Sequence, residues 1–566
     1  MKISHLSIRN FRSIEELDIE LPQICALVGP NNAGKSNILL AIYKVLGHEW
    51  ANVNSFDEDD VYLRNNERDI TLSLTFESPL PYQKFKNSEP TNIHGISFFY
   101  TRYKVGENKG QRRLEQQCFD DKGKVVNILA KAPQKGEQHQ YQPLLGIPSE
   151  VKESIPLIYI GTNRSLKEQL PAAKYSLLRQ LFEDINKDFH SSSQIAQVTQ
   201  DDGTFKSITK SEKFYKLLEE AMDCLRTDSF VELETAIKKH ALQQLGFDPD
   251  VDTDKLDFYF APFNAIEFYK SLDLRVKEGK FNISATELGG GIQNALVLSI
   301  LQAFEERRKR GAIFLIEEPE MFLHPQMQRT LNKTLRQIGE NNQIIYTTHS
   351  THFVLIPNYH EILLVRKESN GSYVIKSNLP KDEHMKEKMI KELDPERNEL
   401  FFASRLLLVE GDTEKLALPE YAKRLNLDLD REGATIVEVG GKRNLPEFAD
   451  VATSFGIPTG ILYDIDSSDF DNKEDEKKFN KGLDDRNNPS KNIRVWALDK
   501  KYEDHLKRAL GGDGKYAEVC QKYSHTGKPT KARLIAMDMA LPIPEPIEGV
   551  LTWLANREGK KQKYKI

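Results

Sequence analysis

Cysteine is scarce in this chain. Cys25, Cys118, Cys224 and Cys520 lie far apart, and no two form a C-x-x-C pair. That spacing excludes a zinc ribbon and gives no disulfide scaffold. No apolar run reaches the length of a membrane span. The opening MKISHLSIRNF alternates like a strand and lacks a signal-peptide apolar region, so a cytoplasmic, reducing location is the expectation. Positive charge is not in excess either, because the formal net charge is -6. A nucleic acid would therefore be held by a local patch and not by the field of the whole protein. There is no internal repeat and no long low-complexity tract. Charge bias is local: residues 464–485 are acid-rich, and the tail 557–566 is basic. That tail reads as solvated, or as a contact for backbone phosphates.

What remains is an ample globular chain of 566 residues, 39% hydrophobic and 29% charged. That is enough for about two to four domains with their own cores. Near the start, KISHLSI and ELDIEL alternate, and ICALV is a short continuous apolar run. The last predicts a buried parallel strand, with a helix from about Lys35. Short strands are expected in ITLSLTF, GISFFYTRYKV and PLIYIGTN. Residues 164–247 read as mostly helical, followed by an alternating strand pair at 256–272. Strand–helix alternation returns over 286–367, and a charged stretch at 366–400 reads as a linker. From 403 to about 540, four apolar strands alternate with helices, which implies a parallel sheet.

GPNNAGKS, residues 29–36, matches the phosphate-loop pattern in full and sits between a buried strand and a helix. Gly29, Asn32 and Gly34 belong to the turn, whose free N–H groups and helix N-terminus suit phosphate. Lys35 would reach the β- and γ-phosphates, and Ser36 would hold Mg²⁺. AIFLIEEPE (312–320) is a second apolar strand ending in acids. Glu317 would bridge to Mg²⁺ through water, where most such nucleotidases have aspartate. Glu318 would be the general base. TELGGGIQNALVLSIL (286–301) places Gly290, Gly291 and Gln293 at the start of an apolar helix. YTTHS (346–350) offers His349 at the next strand end, where a γ-phosphate contact belongs.

In this order the four elements resemble an ABC-type ATPase head of the SMC-like kind, over roughly 1–370. The resemblance implies that each signature segment caps the nucleotide of a partner head, and so at least a homodimer. Its Q-loop has no clear counterpart here; FDEDD (56–60) is the nearest candidate.

LLLVEGDTEK (406–415) raises a second question, because it is another strand running into acids. Glu410 stands at the strand end and Glu414 in the first turn of a helix, with Gly411 allowing a tight turn and Asp412 reading as its cap. GILYDIDSSD (460–469) brings Asp464 and Asp466, which share a face because alternate residues of a strand point the same way. IRVWALDKKYEDHL adds Asp499 and Glu503. In a parallel sheet these carboxyl ends line one edge. Such acids raise each other's pKa unless cations balance them, and Mg²⁺ or Mn²⁺ would do so. Two metals there would steady the attacking and leaving oxygens of a phosphodiester displacement.

E-G-x-x-E followed by D-x-D resembles the Toprim domain of topoisomerases, bacterial-type primases and certain nucleases. A zinc ribbon for a primase is missing, as is a DNA-gate domain around a nucleophilic tyrosine. An ATPase head followed directly by Toprim is the layout of the OLD (overcoming lysogenization defect) family of nucleases. The nuclease subunit of the Gabija anti-phage system shares it. The resemblance implies a lysine near the C-terminus that assists the metals, which points to Lys528 first and Lys531 second.

The fold expected is therefore α/β: an SMC-like ABC ATPase head with a helical insertion, then a C-terminal Toprim domain with a parallel sheet. The expected boundaries are head at 1–163 and 251–370, a dimerising helical insertion at 164–250, a linker at 371–402, and Toprim at 403–566. The expected function is an ATP-regulated, divalent-metal-dependent DNA endonuclease in anti-phage defence. It would work as a homodimer or higher oligomer, on the resemblance beside a helicase-like partner. Two rivals stand against it: an SMC-like DNA-repair ATPase whose Toprim acids only bind DNA, and an ATP-dependent scaffold without nuclease chemistry.

Overall fold

A computed structural model describes residues 2–557, leaving aside 48–49, 66, 87, 133–138, 163–181, 183–184, 200–204, 253, 257–263, 279–280, 308–310, 384–385, 388, 390–394, 467–471 and 500. The chain divides into two compact units, one of residues 1–162 with 309–566 and one of 163–308.

The first unit begins with β1 (Ile3–Phe11), β2 (Ile14–Glu20) and β3 (Ile24–Val28), then the helix Lys35–Leu46. β4 (Ile70–Tyr82), β5 (Thr91–Arg102) and β6 (Arg112–Phe119) follow. A small hairpin of β7 (Asn127–Leu129) and β8 (Tyr141–Pro143) leads to β9 (Leu157–Ile160). Period-two alternation puts Leu6 and Ile8 of β1 beside Leu72 and Leu74 of β4, all buried. This antiparallel sheet has the order β2-β1-β4-β5-β6. FDEDD does not belong to either sheet. Its Asp60 is fully buried between Arg12 Nε at 2.7 Å and Lys44 Nζ at 2.9 Å, so it ties β1 to the first helix.

The second unit holds a hairpin of β10 (Ile195–Thr199) and β11 (Phe205–Thr209), the helices Lys210–Cys224 and Asp228–Gln244, a short helix Ala265–Lys270, and a hairpin of β12 (Arg275–Glu278) and β13 (Phe281–Ser284). Two expectations change here. Part of the predicted helical block is β: IAQVT and FKSIT pair antiparallel, Ile195 opposite Thr209 and Thr199 opposite Phe205, and residues 200–204 between them lie outside the described residues. The predicted strand pair at 256–272 falls instead at 275–284, with a helix at 265–270. RVKE and FNIS are the segments that alternate, about the breaker EGK. Residues 164–181 and 257–263 of those predictions lie outside the described residues. This unit ends in the helix Gly290–Arg307.

The first unit resumes with β14 (Ile313–Glu317), the helix Pro325–Gly339, β15 (Gln343–Thr348), β16 (Ile362–Glu368) and β17 (Gly371–Lys376). With β3 and β9 these make a six-stranded sheet, β17-β16-β3-β15-β14-β9, parallel except for the edge hairpin. β14 and β15 are buried at every residue, which is why IFLIE and QIIYTT run without alternation. The helix Lys35–Leu46 packs between the two sheets, and its Ile38, Leu39, Ile42 and Val45 join both to one core.

β18 (Arg405–Val409), β19 (Ala434–Glu438), β20 (Thr459–Asp464) and β21 (Ile493–Leu498) form a four-stranded parallel sheet in the order β19-β18-β20-β21. Helices Asp412–Arg424, Lys528–Met537 and Glu545–Leu554 share its core, in which Leu407, Val409, Tyr421, Leu462 and Leu551 are buried. Helix Leu445–Ser454 packs against β18 and β20.

Candidate functional site

The six-stranded sheet makes the first site at the carboxyl ends of β3, β14 and β15. Gly29 has φ 153, and a Cβ there would lie 2.1 Å from the Val365 carbonyl oxygen. Gly34 has φ 105, and its Cβ would meet the Ser372 and Ser13 hydroxyls at 2.4 and 2.7 Å. Neither position takes another residue without moving main chain or packed hydroxyls. Asn32 adopts a left-handed conformation and is exposed, as is Ser36 in the first helical turn. Gly34 caps that helix without a side-chain bond, so its first N–H groups are left to the loop.

Lys35 is buried under this loop. Its ammonium donates to the carbonyls of Gly29 at 2.9 Å and Pro30 at 3.0 Å, and lies 2.7 Å from His349 Nε2. Burial lowers its pKa to about 8, against the opposing pull of Glu318 and Glu320. Burial, with Lys35 beside it, holds His349 below the ordinary imidazole value. A neutral imidazole is what can accept the lysine proton.

Glu318 takes a left-handed φ of 42, and its Oε1 lies 3.8 Å from His349 Nε2. Its N–H is fixed by the carbonyl and the hydroxyl of Thr347, each at 3.0 Å. A strained acid held at a strand end in this way is common at functional sites. Glu317 is buried beside Tyr159, whose phenol is pushed up by burial and by Glu317.

A third acid, outside the motif positions, organises the same edge. Glu320 Oε1 accepts the Thr348 hydroxyl at 2.8 Å and the N–H groups of His349 at 2.6 Å and Ser350 at 3.2 Å. It therefore sets the loop that carries His349. The only sequence signal was a further glutamate in EEPE.

The glycines of the second unit sit as a helix start. Gly290 and Gly291 open the helix, and Gln293 Nε2 donates back to the carbonyls of Thr286 at 3.0 Å and Leu288 at 2.7 Å.

The second site lies at the carboxyl ends of β18, β20 and β21. Register aligns these ends: Val409 is opposite Leu462, and Leu462 is opposite Trp496. Glu410 Oε1 accepts the Asp464 N–H at 2.7 Å. Asp464 Oδ1 accepts the Tyr502 N–H at 3.0 Å, which draws the helix Tyr502–Leu510 onto the same edge. Glu414 occupies the third helical position after Gly411 and is buried in the first turn of that helix. Glu503 pairs with Lys528 Nζ at 2.8 Å.

Electrostatics show what this edge lacks. Burial, with Glu503 adding, pushes Glu414 up to about 7. Burial, with Glu414, Glu410 and Glu503 adding, pushes Asp464 up to about 8. Burial opposes the charge on Lys528, but Glu503, Glu414 and Asp464 hold its ammonium above the ordinary value. Among the described residues, Lys528 is the cation paired at this edge, against Glu410, Glu414, Asp464 and Glu503.

Other predicted residues sit further out. Asp466 is half-exposed on the turn after β20. Asp499 is exposed and paired with Arg508 at 3.2 Å. Lys531 lies one turn along from Lys528 on its helix. Two expectations for the loop change. Asp412 makes no cap bond, because the helix begins at Asp412 with Gly411 as its cap. Gly411 is extended at φ -160, so no tight turn demands glycine there.

Among the described residues no group of three or more His, Cys, Asp or Glu is already set to hold a metal ion. The carboxylates are engaged with main-chain N–H groups and with Lys528 instead. The donor set nevertheless fits a hard divalent cation. It is all oxygen, and burial together with its crowded carboxylates raises Glu414 to about 7 and Asp464 to about 8.

Two contacts join the edges. Asn398, buried, donates to the Thr351 carbonyl at 2.8 Å, two residues past His349. Its neighbour Arg397 pairs with Glu438 at 2.8 Å, at the end of β19. Glu438 accepts the Gly440 N–H at 2.9 Å, and the Gly441 N–H donates to the Glu410 carbonyl at 2.8 Å.

Comparison with known proteins places this geometry. A family model described as AAA ATPase domain matches residues 1–354. One described as overcoming lysogenization defect protein-like, TOPRIM domain, matches residues 401–466. The OLD nuclease of Thermus scotoductus is 28% identical over 484 residues, 84% of this chain and 84% of that protein. The Old nuclease of Escherichia phage P2 is 26% identical over 502 residues, 82% and 77% of the two chains. Endonuclease GajA of Bacillus cereus (strain VD045) is 25% identical over 459 residues, 78% and 71%. Among solved structures, the SmcHead bound to the C-winged helix domain of ScpA aligns with a TM-score of 0.34 and 16% identity, over 68% of this chain and 100% of that one. No helix among the described residues is long and apolar enough to cross a membrane.

Proposed function

Because the chain belongs to the AAA ATPase domain family and carries an OLD-like TOPRIM domain, we propose that it is a DNA endonuclease dependent on divalent metal and regulated by nucleotide at its head. One observation carries the metal-site reading. Three parallel strand ends converge on a cluster of carboxylates, Glu414 buried and Asp464 half-buried, whose pKa values are raised by burial first and by each other's charge second. The relatives named OLD nuclease and endonuclease GajA support phosphodiester cleavage as the chemistry such a site performs.

Glu410, Asp464 and Asp466 would hold Mg²⁺ or Mn²⁺, with Glu414 and Glu503 contributing and Asp499 in an outlying role. When bound, the cations supply the charge that steadies the attacking and leaving oxygens of a phosphodiester displacement. Lys528 would offset charge on the phosphate, exchanging its pairing with Glu503 for the substrate.

At the head, Gly29, Asn32, Gly34, Lys35 and Ser36 would bind the nucleotide phosphates and its Mg²⁺. Glu317 would support that ion from the next strand end, Glu318 would act as general base, and His349 would meet the γ-phosphate. Gly290, Gly291 and Gln293 would serve a partner head, which makes a homodimer the smallest working unit. The hydrogen-bonded run from His349 through Thr351, Asn398, Arg397 and Glu438 to the main chain at Glu410 supports coupling of nucleotide state to the metal edge. Anti-phage defence in the cytoplasm, beside a helicase-like partner, is the setting that this layout suggests.

The test is plasmid nicking across nucleotide concentrations with a panel of divalent metals. Wild type should nick with Mg²⁺ or Mn²⁺ and Glu410→Ala should not. If both are equally inert under every condition, the nuclease reading is wrong and a DNA-binding ATPase replaces it.

A further inference from the structure

The loop after β19 carries a lysine that no motif marked. In VEVGGKRN, Gly441 turns the chain at φ 118 and delivers Lys442 beneath the neighbouring strand end, fully buried. Its ammonium donates to the main-chain carbonyls of Asp464 at 2.6 Å and Ile465 at 3.0 Å, and to Glu476 Oε1 at 3.3 Å. An ammonium has three protons, so all of them have acceptors. The Tyr463 ring lies 5.2 Å from the nitrogen. Asn480 adds a second donor to the Ile465 carbonyl at 2.9 Å.

Two of these acceptors are the main chain of the D-x-D turn. The ammonium takes the carbonyls and leaves the carboxylates. On the other side of the turn, the Ile465 N–H donates to the Leu498 carbonyl at 3.0 Å, and Asp464 N–H to Glu410. The peptide units at 464 and 465 are therefore fixed from both sides, while the Asp464 and Asp466 side chains remain for the site. A buried lysine–glutamate pair is weak ground for stability, since apolar side chains of similar volume often do as well. What an apolar side chain could not do is hold two carbonyls in place.

We propose that Lys442 is the positioning residue of the D-x-D pair: by clamping the carbonyls of Asp464 and Ile465 it sets both aspartates against Glu410. The inference rests on the metal-site reading above. Lys442 itself touches neither metal nor DNA.

The test uses the full-length protein and Mn²⁺ as probe. Mn²⁺ binding is followed by calorimetry, and plasmid nicking is followed over a range of Mn²⁺ concentrations. Wild type, Lys442→Met, Asn480→Ala and Glu410→Ala are compared. Lys442→Met should weaken Mn²⁺ binding about tenfold or more, the scale of losing a group that orients metal ligands. Its nicking should return in part at high Mn²⁺, a shift in metal requirement that general destabilisation would not produce. Equal Mn²⁺ affinity and equal metal requirement in Lys442→Met and wild type would overturn the inference. If Lys442→Met fails to fold, Asn480→Ala decides, because it removes the second donor on the Ile465 carbonyl. A raised Mn²⁺ requirement supports the clamp, and an unchanged one overturns it. If wild type binds Mn²⁺ no better than Glu410→Ala, the metal-site reading fails and takes this inference with it.

Discussion

The two acidic edges of the first unit are built alike and balanced differently. Each is a set of parallel strand ends carrying glutamates or aspartates, with a helix starting above them. At the head, Lys35 lies under the loop, and the N–H groups of His349 and Ser350 take up Glu320. At the Toprim edge, Lys528 is the cation among the described residues, and burial with neighbouring acids raises Glu414 and Asp464 to about 7 and about 8. The head therefore carries part of its own neutralisation, although burial still holds Glu320 above the ordinary carboxylate value, and its loop suits an anion, the nucleotide phosphates. On the metal-site reading proposed above, the Toprim edge takes cations. Sheet geometry alone does not distinguish an ATPase edge from a metal-centred one; the local charge balance does.

The largest effect should come from removing a carboxylate at the Toprim edge. Glu410→Ala should lower nicking by about a hundredfold or more, the upper end of what metal-orienting groups contribute. ATP binding should be unchanged in the same protein. Comparable loss of both activities would break the contrast between the edges. Lys35→Ala should do the opposite. Loss of a charge-assisted hydrogen bond of about 1.5–3 kcal/mol corresponds to nucleotide binding weaker by about ten- to a hundredfold. Mn²⁺ binding at the Toprim edge should survive, as read by calorimetry without nucleotide.

The pH dependence sharpens the same contrast. Asp464 and Glu414 have folded-state values above their ordinary 3.8 and 4.5. Between those values and about 8 and about 7, the folded chain holds protons that the unfolded chain has released. Stability of the metal-free protein should thus fall as pH rises through that window. Mn²⁺ must displace the same protons. Its affinity should climb with pH, by about tenfold per unit for each proton displaced, and level off above about pH 8. Thermal melts with and without Mn²⁺ check the first statement, and titrations across pH check the second. A flat melting temperature without metal would remove the charge deficit from the account.

The sequence revealed these edges unequally, for physical reasons. GPNNAGKS was legible because phosphate binding demands particular residues at fixed chain spacing. LLLVEG and YDID were legible because a fully buried strand ending in acids is an unusual composition. Glu320 and Lys442 were not, because they act on main-chain groups 29 and 22 residues away, a choice that no local pattern encodes. The hairpin of β10 and β11 was missed because its strands are only five residues each, next to strongly helical sequence. Asp412 looks like a cap by residue type, yet Gly411 holds that position.

The smallest effect tests whether the two edges communicate. Asn398 is buried and donates to the Thr351 carbonyl, so the loop bearing His349 is held by the segment that leads into β18. Arg397 carries the contact on to Glu438, and Glu438 to the Gly440 N–H, beside the loop that bonds the Glu410 carbonyl. If nucleotide moves His349, this run of contacts is a route among the described residues by which Glu410 responds. Asn398→Ala removes one bond of about 0.5–1.5 kcal/mol, a change of about two- to tenfold. It should alter the ratio of nicking with ATP to nicking without it by that factor, leaving Mn²⁺ affinity and ATP affinity each near wild type. The same ratio in the variant would mean that the edges communicate through another path, or act independently.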